Sequence, residues 1–261
     1  MSRWALALAA LLLLAPGCRS LPTATPLPPD DTRAGRLLDA LAARAVSRHS
    51  LRGVARVSLD SPAGSSRSRQ ILVAERPARL RVEIQGLLNQ LVAVLVSDGS
   101  EFQLFRASER SVERGKMHPD LLYEVAGLPL RPEAAVEVLL GVPDLGAHAR
   151  PGSAALLSDG NVWVELEDGE GVGLRRLRFD DEANLREFEV RAPAGELAWR
   201  ALFDDYRTVG ESRFAHDIVL DFPAASARAE ISFQQVELNP PLPPGTFALE
   251  AAPAREGGQR G

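Results

Sequence analysis

The sequence predicts a mainly β, α+β fold: a single large curved antiparallel sheet of about eleven strands, forming an unclosed half-barrel lidded by three helices. Three observations carry this expectation. Apolar and polar residues alternate through most of the chain between Gly53 and Phe233. Three short stretches repeat at helical spacing instead. No intervening loop is long enough to mark a boundary between two domains.

The first thirty-one residues are set apart from that fold. Met1 to Trp4 carries one positive charge, Arg3, before an unbroken apolar run from Ala5 to Ala15. A run of eleven falls short of the about 20 apolar residues that span a bilayer, and it has the form of an export signal covering residues 1–17. The segment Leu14-Ala15-Pro16-Gly17-Cys18 resembles the lipobox of bacterial lipoproteins. That resemblance implies a diacylated Cys18, although Ala15 and Pro16 depart from the usual pattern. The alternative is an ordinary cleaved signal with an incidental cysteine, which leaves a lone thiol in an oxidising compartment without a use. Residues 18–31 carry Pro22, Pro26, Pro28 and Pro29 and read as an extended tether without ladder hydrogen bonds. Arg19 stands where enteric lipoproteins retained in the inner membrane carry Asp, so the implied destination is the outer membrane, with the domain facing the periplasm.

The domain is expected over 32–250. Thr32 to His49 places Leu37, Leu38, Leu41, Ala42, Ala45 and Val46 on one helical face, with Arg36, Arg44 and Arg48 largely elsewhere. Strands follow at Gly53–Leu59, Ser68–Glu75, Arg79–Ile84, Gln90–Val96 and Glu101–Arg106, separated by turn signals such as Ser97-Asp98-Gly99. Pro119 then opens a helix closed by Gly127, and Pro132 opens another closed by Gly141, the usual placing of Pro and Gly at helix ends. After a Gly/Pro/Ala loop, the period of two resumes at Val162–Leu166, Leu177–Phe179, Phe188–Val190, Leu197–Phe203, Phe214–Phe222 and Ala229–Phe233. Beyond Asn239-Pro240-Pro241, Phe247 and Leu249 alone offer docking groups, and residues 251–261 read as a disordered tail.

Composition and motifs exclude several functions. Thirty basic residues against 35 acidic ones, a net charge of -5, give no stripe for phosphates, so no nucleic acid is expected. His49, His118, His148 and His216 form no metal-ligand spacing, and one cysteine makes no thiolate site; no metal and no cofactor are expected. Asp180-Asp181 and Asp204-Asp205 fall at strand ends as turn residues, and Gly169–Gly173 lacks the Lys and helix of a phosphate loop. No serine lies in a GxSxG elbow. No catalytic residue stands out, and the chain is not expected to be an enzyme. Its 29 Arg against one Lys, Lys116, reflect genome composition.

The leading helix, the strand Leu51-Arg52-Gly53-Val54-Ala55-Arg56-Val57, the block Ala74-Glu75-Arg76-Pro77-Ala78-Arg79-Leu80-Arg81-Val82-Glu83-Ile84 and the ending Leu238-Asn239-Pro240-Pro241-Leu242-Pro243 together resemble the LolA/LolB superfamily. Its members are periplasmic lipoprotein carriers or outer-membrane acceptors, and a lipid anchor is the mark of LolB. The resemblance implies a lidded half-barrel whose apolar cavity takes acyl chains of lipoproteins or lipids. It also implies a monomer that receives cargo from a periplasmic LolA-like carrier. Cavity candidates are Val82, Ile84, Val94, Val164, Trp199, Phe203, Ile218 and Phe233, which pack equally well as sealed core. LolB delivers cargo through a loop between its third and fourth strands, which corresponds here to Gln85–Gln90, with Leu87 and Leu88 as the membrane-delivery residues. The competing reading buries both leucines in longer strands. No counterpart of the arginine that latches the LolA lid is evident. The alternative to a carrier is a structural or interaction lipoprotein of the same fold, accessory to an envelope complex.

Overall fold

The computed structural model describes residues 23–86, 88–145, 150–167 and 174–249. Cys18, Leu87, His148, the glycine-rich turn Gly169–Gly173 and the tail 251–261 lie outside these residues. Among the described residues, fourteen strands form one unclosed antiparallel sheet. In chain order they are β1 (Ala24–Pro26), β2 (Ser50–Ser61), β3 (Gly64–Glu75), β4 (Arg79–Gln85), β5 (Leu91–Ser97), β6 (Glu101–Arg106), β7 (Ser111–Lys116), β8 (Arg150–Leu157), β9 (Val162–Glu167), β10 (Leu174–Phe179), β11 (Leu185–Arg191), β12 (Leu197–Val209), β13 (Ser212–Phe222) and β14 (Ala227–Leu238). Two meanders, β8 to β14 and β2 to β7, join where β14 pairs with β2, and β1 and β7 form the two edges.

The expected eleven strands are all present, and the three additional ones lie at or beside the edges. Ala24–Pro26 lies in the segment read as a tether, but pairs with β8 opposite Leu157, Leu156 and Ala155. β7 reads Ser-Val-Glu-Arg-Gly-Lys and is almost wholly exposed, as suits an edge that must not recruit another strand. β8 replaces the expected Gly/Pro/Ala loop.

Helices α1 (Arg33–Ser47), α2 (Leu121–Ala126) and α3 (Pro132–Leu139) cover the concave face. Leu41 of α1, Leu121 and Leu122 of α2, and Val136, Val138 and Leu139 of α3 share one continuous apolar cluster with the inward residues of the sheet. Pro132 occupies the first turn of α3, and Gly127 closes α2 in the left-handed conformation at φ 69°. The apolar stripe of α1 differs from expectation at its end. Val46 is 87% exposed, whereas Arg48, just past the helix and seven residues after Leu41, is 3% exposed. Residues seven apart return to the same helical face, so the stripe continues into an arginine.

The segments around Asn239 and Arg79–Arg81 form junctions in the fold. Asn239 accepts the His49 and Ser50 N–H groups at 3.0 and 3.2 Å and donates to the Ser47 carbonyl at 2.7 Å, fixing the end of β14 to the α1–β2 corner. Arg81 donates to the Thr246 and Ala248 carbonyls, and Arg79 lies 4.4 Å from the Phe247 ring centroid. The C-terminal segment therefore crosses the outer face of β4. In β2, a Cβ at Gly53 would meet the Phe233 ring at 2.8 Å, so glycine is what lets that ring lie across the strand.

Phe203 is 1% exposed inside the apolar cluster. Phe203→Ala should cost about 3–5 kcal/mol in urea denaturation, as emptying a packed aromatic site does; a cost under about 1 kcal/mol would mean that the site is not packed.

Candidate functional site: the lidded concave face

The sequence-predicted cavity residues separate into four groups. Val164, Phe203, Ile218 and Phe233 are fully buried in the continuous cluster under the helices. Val82 and Ile84 are half-buried on the concave side of β4. Val94 is corrected: it pairs with Glu83, not with Val82 or Ile84, and so points to the outer face. There it is 3% exposed and excluded from the concave cluster. β5 is apolar on both faces, so alternation alone did not reveal which valine points inward.

Trp199 is the cavity candidate that remains at an opening. It packs edge-on to Phe188 at 5.5 Å between ring centroids and lines a cleft of about 160 Å3 between α3 and the starts of β10 and β12. Leu130, Phe188 and Val190 complete an apolar floor, and Arg131, Glu137, Asp144 and Arg175 surround the mouth. Small-molecule pockets begin near 300 Å3, so the cleft admits little while the helices stay in place.

Two arginines, Arg48 and Arg76, fasten the end of α3. Arg48 donates to the Leu140 carbonyl at the end of α3 at 3.3 Å and to the Arg213 carbonyl at the start of β13. Its guanidinium lies 5.7 Å from the Phe214 ring centroid, and among the described residues it has no carboxylate in ion-pair contact and no partner for its buried Nε. Burial, with Arg44 nearby, lowers its pKa to about 10, so it stays charged at neutral pH. Arg76 donates to the Val142 carbonyl at 2.9 Å and stands 3.8 Å from Glu137, whose carboxyl is pushed upward by burial and by Asp144. Arg48 is the buried charge at the end of the lid that the sequence pattern assigns to the wrong face. The signal was present: a charge continuing the α1 apolar stripe at Leu37, Leu41 and Arg48.

Leu88 lies in the connection between β4 and β5 and is 88% exposed; β4 ends at Gln85 and β5 begins at Leu91, so Leu88 is not strand core. Leu91 and Val92 beside it are also exposed. Neighbouring strands alternate in direction across the sheet. The end of β4, the start of β10, the end of β11 and the start of β12 therefore share one rim, which puts Leu88 and the Trp199 cleft at the same end. Thr23 enters β1 at the opposite rim.

On the outer face, Glu187 is shared by Arg178 and Arg200, and Glu165 and Glu189 flank Arg176, a cross-strand ladder that accounts for these charges structurally. Among the described residues no group of His, Cys, Asp and Glu is placed to hold a metal, and no helix is long and apolar enough to cross a membrane. His216 is buried, its Nδ1 3.2 Å from the Phe214 carbonyl.

No family model and no curated protein matches the sequence. The fold does match solved structures. A LolA superfamily protein of Nitrosomonas europaea superposes with a TM-score of 0.52 at 13% identity, covering 81% of this chain and 97% of that one. This chain has a LolA-like fold. A DUF1329 family protein of Desulfovibrio piger reaches a TM-score of 0.57 at 9% identity, over 82% of this chain and 95% of that one. At such identities the likeness is one of fold alone.

Arg48→Met removes the donor from the Leu140 carbonyl, and an unsatisfied buried acceptor costs about 1–3 kcal/mol. The closed lid loses that amount, so hydrogen exchange at Leu139 to Val142 should accelerate roughly 5- to 150-fold while the β13 and β14 amides change far less. Equal acceleration everywhere would mean that Arg48 supports the whole fold and not the lid.

Proposed function

We propose that the chain is an outer-membrane lipoprotein, anchored through diacylglyceryl-Cys18. Its LolA-like half-barrel takes up acyl chains of lipoproteins or lipids and passes them to the membrane. The mechanism is binding and hand-off, without bond chemistry. The observation that carries this reading is the exposed apolar tip formed by Leu88, Leu91 and Val92 on the same rim as the Trp199 cleft. Leucine and valine at the end of a hairpin gain nothing from water, and a cluster of them marks a membrane or protein contact. A chain leaving the concave face beside Trp199 emerges at the rim that this tip marks. Opening requires the lid to leave Arg48 and Arg76, because the cleft is too small for a whole acyl chain while they hold it.

The anchor fits this arrangement under one condition. Six residues from Cys18 to Ala24 span at most about 20 Å, about the length of β4, and β1 starts at the rim opposite Leu88. The tip therefore touches the anchoring membrane when the strands lie along its surface.

The packed state of Val164, Phe203, Ile218 and Phe233 favours a second reading, an interaction lipoprotein whose concave face stays sealed. The two separate on one substitution. Burying a leucine is worth about 1.5–3 kcal/mol, so Leu88→Glu should lower acyl transfer from the protein to vesicles about 10- to 150-fold, with an unchanged melting temperature. Unaltered transfer would remove the tip from the mechanism, and a wild-type chain that carries no acyl cargo would leave the sealed scaffold.

A further inference from the structure

The mouth of the Trp199 cleft differs from the charge ladder on the outer face of β9 to β13. On the outer face Arg176, Arg178, Arg191 and Arg200 all stand against carboxylates. At the mouth, the exposed Arg131 guanidinium makes no hydrogen bond or ion pair among the described residues, although its charge favours the ionised Glu137, and the Arg175 guanidinium donates to the Leu145 carbonyl. Both carboxylates there are already engaged: Glu137 by Arg76 and by the Asp144 N–H at 3.0 Å, and Asp144 in an interaction of its own. Two guanidinium forks thus border an apolar floor of Leu130, Phe188, Val190 and Trp199. Guanidinium forks match carboxylate and phosphate oxygens, and the floor matches a hydrocarbon chain. An opening of about 160 Å3 suits the end of one chain rather than a pair.

Building on the acyl-carrier reading, we propose that the cleft selects single-chain amphiphiles with an anionic head. The head, a fatty-acid carboxylate or a lysophospholipid phosphate, is bound by Arg131 and Arg175 while the chain enters past Trp199. A charged head distinguishes this cargo from an uncharged acylglycerol of the same chain length. Arg131 and Arg175 are then the specificity-determining residues.

Trp163 lies on the outer face, so in the mature chain carrying Trp163→Phe the remaining indole emission comes from Trp199. Brominated chains quench an indole that they touch, so titration with dibromostearate, a brominated lysophosphatidate and a brominated neutral monoacylglycerol reads occupancy of the cleft directly. The proposal predicts that both acids quench at concentrations at least tenfold lower than the neutral lipid, and the order of the two acids identifies the head. Arg131→Gln/Arg175→Gln should erase that preference and Arg131→Lys/Arg175→Lys should retain much of it, with melting temperatures confirming that both variants fold. Equal quenching by the neutral lipid overturns the anionic-head selection and leaves the carrier reading standing. No quenching by any of the three overturns both.

Discussion

An open sheet with one apolar face must bury that face, and every other feature of this molecule follows from how the burial is achieved. Among the described residues, fourteen strands present a continuous apolar concave surface, and three α-helices contribute leucines and valines to cover it. The cover is joined to the sheet differently from the way the sheet is joined to itself. Strand pairing supplies a ladder of backbone hydrogen bonds along every neighbour. The lid has apolar contacts and a few donors, chiefly Arg48 reaching the Leu140 carbonyl and Arg76 reaching the Val142 carbonyl. A buried guanidinium held by carbonyls and an aromatic ring contributes modest stability, because its desolvation offsets much of what the hydrogen bonds supply. On the proposed carrier reading, the same balance makes it a reversible fastening.

This asymmetry connects fold to function. A sealed core and a carrier's cavity are built from the same residues, and what separates them is the free energy of moving the lid. With the helices in place, Phe203, Ile218 and Phe233 behave as core, while Trp199 at the rim is the point where the interior meets a cleft. The outer face is secured independently. Charge ladders cover β9 to β13, and the C-terminal segment from Pro240 to Leu249 crosses the β4 side, where Arg52, Arg81 and Gln103 hold its backbone. The outer face therefore does not depend on the lid for its cover.

Much of this architecture was legible in the sequence because period-two alternation survives wherever one face is dry and the other wet. It failed where that condition fails. β7 is an edge with both sides exposed, so Ser111 to Lys116 carries no apolar rhythm; β8 opens on Pro151 and Gly152, and β1 is three residues long. β5 fails in the opposite sense, since the concave cluster covers one side and the other is buried outside it, leaving Leu91 to Val96 apolar throughout. Its register against β4, not its composition, assigns Val94 outward. Arg48 was hidden by its charge, although its spacing from Leu41 marked it as inward-facing. The Leu88 loop was legible because large apolar residues at a turn break the expected chemistry of turns.

The claim that the lid is a movable cover over a carrier's cavity is tested most directly by hydrogen exchange, comparing amides of α2 and α3 with those of β13 and β14 in the presence and absence of fatty acid. The account predicts that the helices exchange through an opening several kcal/mol below global unfolding, and that ligand changes protection in the helices and the Trp199 rim while the sheet stays constant. Helices as protected as the sheet, and indifferent to ligand, would contradict it and identify the concave face as sealed core.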